Sequence, residues 1–310
     1  MTVLALENVS RNFTSHGGVL RAVDDVSLSL AEGETLGIVG ESGCGKSTLA
    51  RLMLKLLPVS TGRVLLEGQD VTALRESQMR PLRRRMQAVF QDPNSSLNPR
   101  MRVADIVAEP LGPLKLSRAA AASRVREVLG LVGLPADSGT RYPHAFSGGQ
   151  RQRIAIARAL AAEPKIIICD EATSALDVSV QAQILNLLAE LQARLKLSVI
   201  FISHNLGAVR HVSQRVAVMY LGRIVEEADE AELFDEPLHP YTHALLAAIP
   251  EPILGQRPPT PLQGEIPSAL HRPTGCHFHP RCPRAEAPCR NDDPPLHDVG
   301  SRRVRCHFPG

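Results

Sequence analysis

Short apolar runs, each closed by glycines or small polar residues, recur along this chain and read as buried strands. Thr35–Val39, Met86–Phe90, Lys165–Cys169 and Ser198–Ser203 are five or six residues long, too short for helices. Between them the apolar spacing lengthens to that of helices. Leu49–Leu57 ends before Pro58, Ala119–Leu131 is amphipathic, and Val178–Leu195 is long and amphipathic. Gln150–Ala161 sets Ile154, Ile156 and Leu160 against a face of arginines. This mixture of strands and helices predicts an α/β core. Val3–Val9 and Val19–Leu30 alternate loosely, as an antiparallel pair turning at Ala31–Glu34, and Arg63–Glu67 is a further strand. Arg215–Tyr220 and Gly222–Glu227 form a hairpin, and Asp229–Phe234 starts a short helix. Asn94–Pro143 is helical and rich in loops. A Pro-rich stretch from Pro250 to Pro267 marks a boundary near residue 250.

The strand ends carry the candidate chemistry. Thr35–Val39 runs into Gly40-Glu41-Ser42-Gly43-Cys44-Gly45-Lys46-Ser47-Thr48, a glycine-rich turn followed by a helix. Its glycines let the backbone curl so that several N–H groups face phosphate oxygens. Lys46 supplies a compact positive charge to the β and γ phosphates, Ser47 a hydroxyl for Mg²⁺, and Thr48 a hydrogen bond to phosphate. Cys44 reads as a small filler of the loop. Lys165–Cys169 delivers Asp170 and Glu171, one carboxylate for Mg²⁺ and one to polarise an attacking water. Gln91, directly after Met86–Phe90, can reach the metal or the water with its side-chain oxygen. His204, after Ser198–Ser203, can bond the γ-phosphate and hold that water. Ser147-Gly148-Gly149-Gln150 opens a helix with small residues and free N–H groups, a ready anion site.

Composition changes little in this picture. The 310 residues are 44% hydrophobic and 22% charged, which is ordinary for a globular chain. The net charge of +3 does not argue for nucleic acid, and the run Arg80–Arg85 reads as a solvated helix end rather than a nucleic-acid patch. No apolar run reaches the ~20 residues needed to span a bilayer. The N-terminus lacks a basic n-region, so a cytosolic chain is expected, reaching membranes only through partners.

Cysteine usage changes more. Of six cysteines, Cys276, Cys282, Cys289 and Cys306 crowd the last 35 residues, with gaps of five, six and sixteen. In a reducing compartment such clustering points to metal before disulfides. Four thiolates suit a [4Fe–4S] cluster or zinc; His277, His279 and His307 keep zinc open, and unmetallated thiols are the third reading. A segment this small has little core of its own, so bound metal would supply folding energy.

Taken in order, the phosphate loop, FSGGQ, the ICDE strand end and SALD resemble the ATP-binding-cassette ATPases over roughly the first 250 residues. The resemblance implies a RecA-like P-loop core with an antiparallel β subdomain, a helical subdomain inserted at about 94–160, and a separate Cys-rich extension over 251–310. It implies that Phe13 stacks on adenine and that Ser147–Gln150 touch the γ-phosphate of ATP held by an opposite subunit. Asp177 then lies in a dimer-contacting loop, and Gln91 begins the segment that meets membrane subunits. Phe146 stands where leucine is usual, Ala172 where proline is, and Asn205 where aspartate is, the last putting one hydrogen bond of its loop in doubt.

HPYT at His239–Thr242, ALLAAIP and the cysteine tail resemble the oligopeptide/dipeptide importer ATPases, and the wording around Pro81–Pro110 resembles the second ATPase of their pair. That implies ATP and Mg²⁺ as cofactors and favours the [4Fe–4S] cluster. It also implies a heterodimer with a second ATPase, two transmembrane permease subunits and a peptide-binding protein. The location would be the cytoplasmic face of a bacterial inner membrane. A nickel complex or glutathione as cargo, or a soluble cassette acting on ribosomes or DNA, are the other expectations. The last usually needs two cassettes or a coiled-coil insertion, and this chain has one cassette and no heptad run.

Overall fold

The computed structural model describes residues 1–15, 18–248 and 264–310. Most of the expected linker, Pro250–Pro267, therefore lies outside the described residues. Twelve strands occur among those described: β1 Thr2–Ser15, β2 Gly18–Ala31, β3 Thr35–Val39, β4 Thr61–Leu66, β5 Gln69–Asp70 and β6 Met86–Phe90. They continue as β7 Ile166–Asp170, β8 Ser198–Ser203, β9 Arg215–Tyr220, β10 Arg223–Asp229, β11 His297–Val299 and β12 Arg302–Val304. The chain divides into two compact units. One holds Met1–Val3, Leu30–Thr35 and Ala73–Ile202, the other Leu4–Ser29, Leu36–Thr72 and Ser203–Gly310.

In the first unit β6, β7 and β8 lie parallel, with Met86 opposite Ile166 and Ile166 opposite Ser198. β7 and β8 are buried at every position, which is why both read as unbroken apolar runs rather than alternating ones. Helices Val103–Ala108, Arg118–Leu131, Gly148–Ala161 and Val178–Leu195 bury Ile106, Val128, Leu129, Ile154, Leu160 and Leu188. The helix Gly148–Ala161 is buried more widely than one apolar face predicts, since Gln152, Ala155, Ala157 and Ala159 are inside as well. Arg124 explains how that helix ends: its guanidinium donates to the carbonyls of Leu160 (2.9 Å) and Ala161 (3.2 Å), two of the groups a helix C-terminus leaves unpaired. From the run Arg80–Arg85, Arg83 binds Glu76 through Nε (2.8 Å) and Nη2 (2.7 Å).

The second unit carries an antiparallel sheet in the order β2-β1-β4-β5. Leu4, Leu6, Val64 and Leu66 face its core at alternate positions. Its other sheet runs β11-β12-β10-β9-β3, with β3 parallel to β9 and the rest antiparallel. The hairpin β11–β12 comes from the cysteine-rich tail and pairs Val304 with Glu226 of β10. Val304 and Phe278 are buried there, so described parts of the tail share in the core of this unit.

The structure departs from the sequence reading at several element ends, and the first strand runs to Ser15 rather than Val9. The first helix spans Lys46–Met53 rather than Leu49–Leu57, since the phosphate loop feeds straight into it at Gly45 and the chain turns off at Leu54. His239-Pro240-Tyr241-Thr242 opens a helix, Pro240–Ala247: Nδ1 of His239 accepts the Tyr241 N–H at 3.0 Å, and buried Glu226 accepts the N–H groups of Leu238 (2.7 Å) and His239 (2.9 Å).

Candidate ATP site

β3 is buried throughout and delivers Gly40 at its end, beside β9. A Cβ at Gly40 would collide with the Met219 carbonyl oxygen, so only glycine fits where the loop leaves the sheet. Gly45 is the residue before the helix, at φ +109°, and a Cβ there would lie well under 3.0 Å from the Ala22 carbonyl. Gly45→Ala is therefore expected to destabilise this unit by about 2–4 kcal/mol, adding a clash to a left-handed backbone. Denaturant midpoints check it, and a midpoint equal to wild type would contradict this account of the loop.

Lys46 is 4% exposed, and its ammonium donates to the carbonyls of Gly40 (2.7 Å) and Glu41 (2.9 Å). The charge is thus buried in the loop and satisfied by two backbone carbonyls. Cys44 lies 3.7 Å from Nζ of Lys46. Burial pushes its thiol up despite that cation, which agrees with a filler rather than a reactive group. Phe13 lies on β1, outside the buried core, with the Arg11 guanidinium 4.6 Å from its ring centroid. His204 is exposed. The Oδ1 of Asn205 accepts the Ala208 N–H at 3.1 Å, so the hydrogen bond put in doubt by Asn at this position is made.

The carboxylates belong to the first unit. Asp170 ends β7 opposite Phe90 of β6, so Gln91 and Glu171 leave neighbouring strands at the same end. Asp170 is buried, whereas Gln91 is exposed. Glu171 has φ +50°, unusual outside glycine. Its N–H donates to the Ile202 carbonyl (2.9 Å), and its own carbonyl accepts from Ser174 N–H (3.1 Å) and Oγ (3.0 Å). These bonds hold a strained residue at the place where the sequence puts the reacting carboxylate. Burial raises the neighbouring Cys169 thiol to about 12, which leaves it neutral.

Ser147-Gly148-Gly149-Gln150 opens its helix with reciprocal caps: Gln150 Oε1 accepts Ser147 N–H (3.0 Å), and Ser147 Oγ accepts Gln150 N–H (3.3 Å). Gly149 also meets a packing need, since a Cβ there would collide with Val180. Asp177 caps the helix Val178–Leu195 through the Val180 N–H at 2.9 Å, and beside it Val178 is 83% exposed.

All four tail cysteines line one pocket open to solvent, together with His239 and His279. Burial first, then the mutual repulsion of thiolates, pushes Cys276 up to about 11, and Cys282 and Cys306 also rise. Soft donors such as these three, which resist ionisation unless a cation compensates them, have the chemistry of a metal–thiolate site. As an ion site, however, the expected metal centre is not found. Among the described residues no group of three or more His, Cys, Asp or Glu is placed to hold a metal ion. The four thiols share the lining of that pocket.

Sequence reasoning missed Glu41, which sits inside the phosphate loop and binds Arg281, and Tyr241, whose hydroxyl accepts the Glu41 N–H at 3.0 Å. A charged residue at a variable loop position was the available signal for the first. Nothing in the sequence marked the second beyond its place in HPYT.

The family models agree with this geometry. "ABC transporter" matches residues 23–174, and "Oligopeptide/dipeptide transporter, C-terminal region" matches residues 225–289. The di/tripeptide transport ATP-binding protein DppF of Pseudomonas aeruginosa is 47% identical, covering 99% of this chain and 97% of that protein. The oligopeptide transport ATP-binding protein OppF of Salmonella typhimurium is 50% identical, covering 93% and 87%. Among solved structures, cbiO1 of Clostridium perfringens, part of the ABC transporter complex cbiONQ, has TM-score 0.68 at 31% identity, covering 76% of this chain and 91% of that one. An ATP-binding cassette solved as a post-hydrolysis dimer with ADP and Pi has TM-score 0.67 at 30% identity, covering 73% and 98%. The chain is a P-loop ATPase of the ABC transporter family and belongs to its branch of oligopeptide and dipeptide transport ATP-binding proteins.

Proposed function

We propose that this ATPase energises import of peptides through a membrane complex. The observation that carries the reading is the pairing, in one chain, of the ATPase motifs with the C-terminal region matched at 225–289. Full-length relatives named for peptide, dipeptide and oligopeptide transport support it. Phe13 stacks on adenine; Gly40, Ser42, Gly43, Cys44, Gly45, Lys46 and Thr48 cradle the phosphates; Ser47, Gln91 and Asp170 hold Mg²⁺. The bound Mg²⁺ supplies charge neutralisation on the transferring phosphoryl group. Glu171 takes up the proton of the attacking water, with Gln91 and His204 orienting that water.

The partners follow from the same reading. Ser147–Gln150 and Asp177 face a second ATPase subunit, and exposed Val178 beside Asp177 is an apolar residue suited to that contact. That subunit is a different chain, giving a heterodimer. Among the described residues no helix is long and apolar enough to cross a membrane. On the reading proposed here, two permease subunits hold the pair at the cytoplasmic face of the inner membrane. A peptide-binding protein delivers cargo. Residues 1–250, with a helical part at about 94–160, form the nucleotide-binding domain, and 251–310 an extension. Its four thiols, which line one pocket, hold a [4Fe–4S] cluster on this reading.

Deleting the chain from its host should abolish uptake of labelled di- and oligopeptides, with uptake restored by wild type. Loss confined to nickel complexes or glutathione would overturn the peptide reading. Iron and acid-labile sulfide near four each, in protein purified without oxygen, are expected for the cluster; zinc alone would refute it.

A further inference from the structure

Glu41 is a residue the phosphate-loop motif does not require, and its partners come from the end of the chain. Nη1 of Arg281 donates to Oε2 (2.7 Å) and Nη2 to Oε1 (3.0 Å), a fork-to-fork pair. The Arg281 side chain is 3% exposed and that of Glu41 24%. Arg281 closes the turn His279–Arg281, directly before Cys282, and its guanidinium lies 5.9 Å from the Tyr220 ring centroid. The Glu41 backbone is tied as well: its N–H goes to Tyr241 Oη and its carbonyl accepts from Lys46. Tyr241 packs on Tyr220 (4.6 Å) and Phe278 (5.4 Å), and Phe278 stands two residues from Cys276.

A carboxylate inside a loop that wraps a polyphosphate repels its ligand unless a cation cancels it. Here the cation is supplied from a turn bounded by two cysteines of the thiol-lined cavity. We propose that Arg281 is a positioning residue for the nucleotide site, holding the phosphate loop through Glu41 and tying ATP affinity to the integrity of the cysteine-rich tail. The inference rests on the reading of Gly40–Thr48 as the phosphate-binding loop. Coupling of this kind is reciprocal: bound ATP stabilises the tail by the same factor by which the intact tail favours ATP.

The test uses the full chain purified without oxygen, with MgATP binding measured by calorimetry and turnover by phosphate release. Arg281→Ala should weaken ATP binding about tenfold or more and raise KM far more than it lowers kcat. Arg281→Lys should recover only part of the affinity, since an ammonium cannot reproduce the fork. Adding Glu41→Gln to Arg281→Ala should restore affinity to within about threefold of wild type, because the uncancelled carboxylate is gone. A role of Arg281 confined to folding the tail would not respond to Glu41→Gln. Wild-type affinity in Arg281→Ala, or no recovery in the double variant, would overturn the proposal. Should Arg281→Ala fail to fold, Arg281→Lys carries the test: a partial loss relieved by Glu41→Gln supports it, and unchanged affinity sinks it. Lys46→Ala separates the two levels. ATP binding retained there refutes the loop reading itself, whereas binding lost there and kept in Arg281→Ala refutes only the role of Arg281.

Discussion

Replacing Glu171 by glutamine is expected to cut ATP turnover about 10²–10⁴-fold while MgATP still binds. Glutamine keeps the size and the hydrogen-bonding oxygen of the side chain but cannot take up a proton from water. The bonds that fix this residue at φ +50° run from its backbone to Ile202 and Ser174, so they survive the change. The variant should therefore fold normally and, mixed with the proposed second ATPase subunit, accumulate as an ATP-bound closed dimer. Phosphate release under single-turnover conditions measures the loss, and sedimentation in the presence of MgATP reports the dimer. Turnover at the wild-type rate would remove Glu171 from the reaction.

Lys46→Ala should act one step earlier, at binding. Its ammonium is the buried donor to the carbonyls of Gly40 and Glu41, and it is the charge we propose for the phosphates. Alanine removes that charge, and the two carbonyls lose their donor, at a cost of about 1–3 kcal/mol for each left unsatisfied. ATP affinity is expected to fall about 100-fold or more. The unfolding midpoint in the absence of nucleotide should fall as well. Calorimetry with MgATP decides it: near-native affinity would contradict the phosphate role of Lys46.

The motifs were legible because their chemistry is local. A buried strand followed by a glycine-rich turn and a helix needs glycines where the backbone turns left-handed or meets another carbonyl, as at Gly45 and Gly40. The apolar run before Asp170 and Glu171 marked β7 because a strand covered on both faces cannot alternate. The tail was less legible. β11 and β12 are three residues each, His297–Val299 and Arg302–Val304, too short and mixed in polarity to show a period. The pairing of β12 to β10 depends on a partner about 75 residues earlier in the chain, which no local pattern encodes.

Long-range contacts explain the rest of what the sequence hid. Glu41 and Arg281 are separated by 240 positions. Neither the loop nor the tail alone identifies the other as its partner. The four cysteines had irregular gaps, so their convergence on one cavity followed only from the turn at His279–Arg281, the helix Ala287–Asn291 and the strand before Cys306. Glu171 was legible as a carboxylate but not as a strained residue, since its left-handed backbone is imposed by the turn that follows β7.

Coupling of ATP turnover to peptide movement is the claim on which the account stands. The direct measurement reconstitutes the chain with the proposed second ATPase and permease subunits in sealed vesicles. The peptide-binding protein and a labelled oligopeptide are supplied on the face opposite the ATPase. The account predicts that MgATP drives peptide across toward the ATPase side, that peptide stimulates phosphate release, and that both stop in Glu171→Gln. Phosphate release that ignores peptide, with no label crossing, would contradict it.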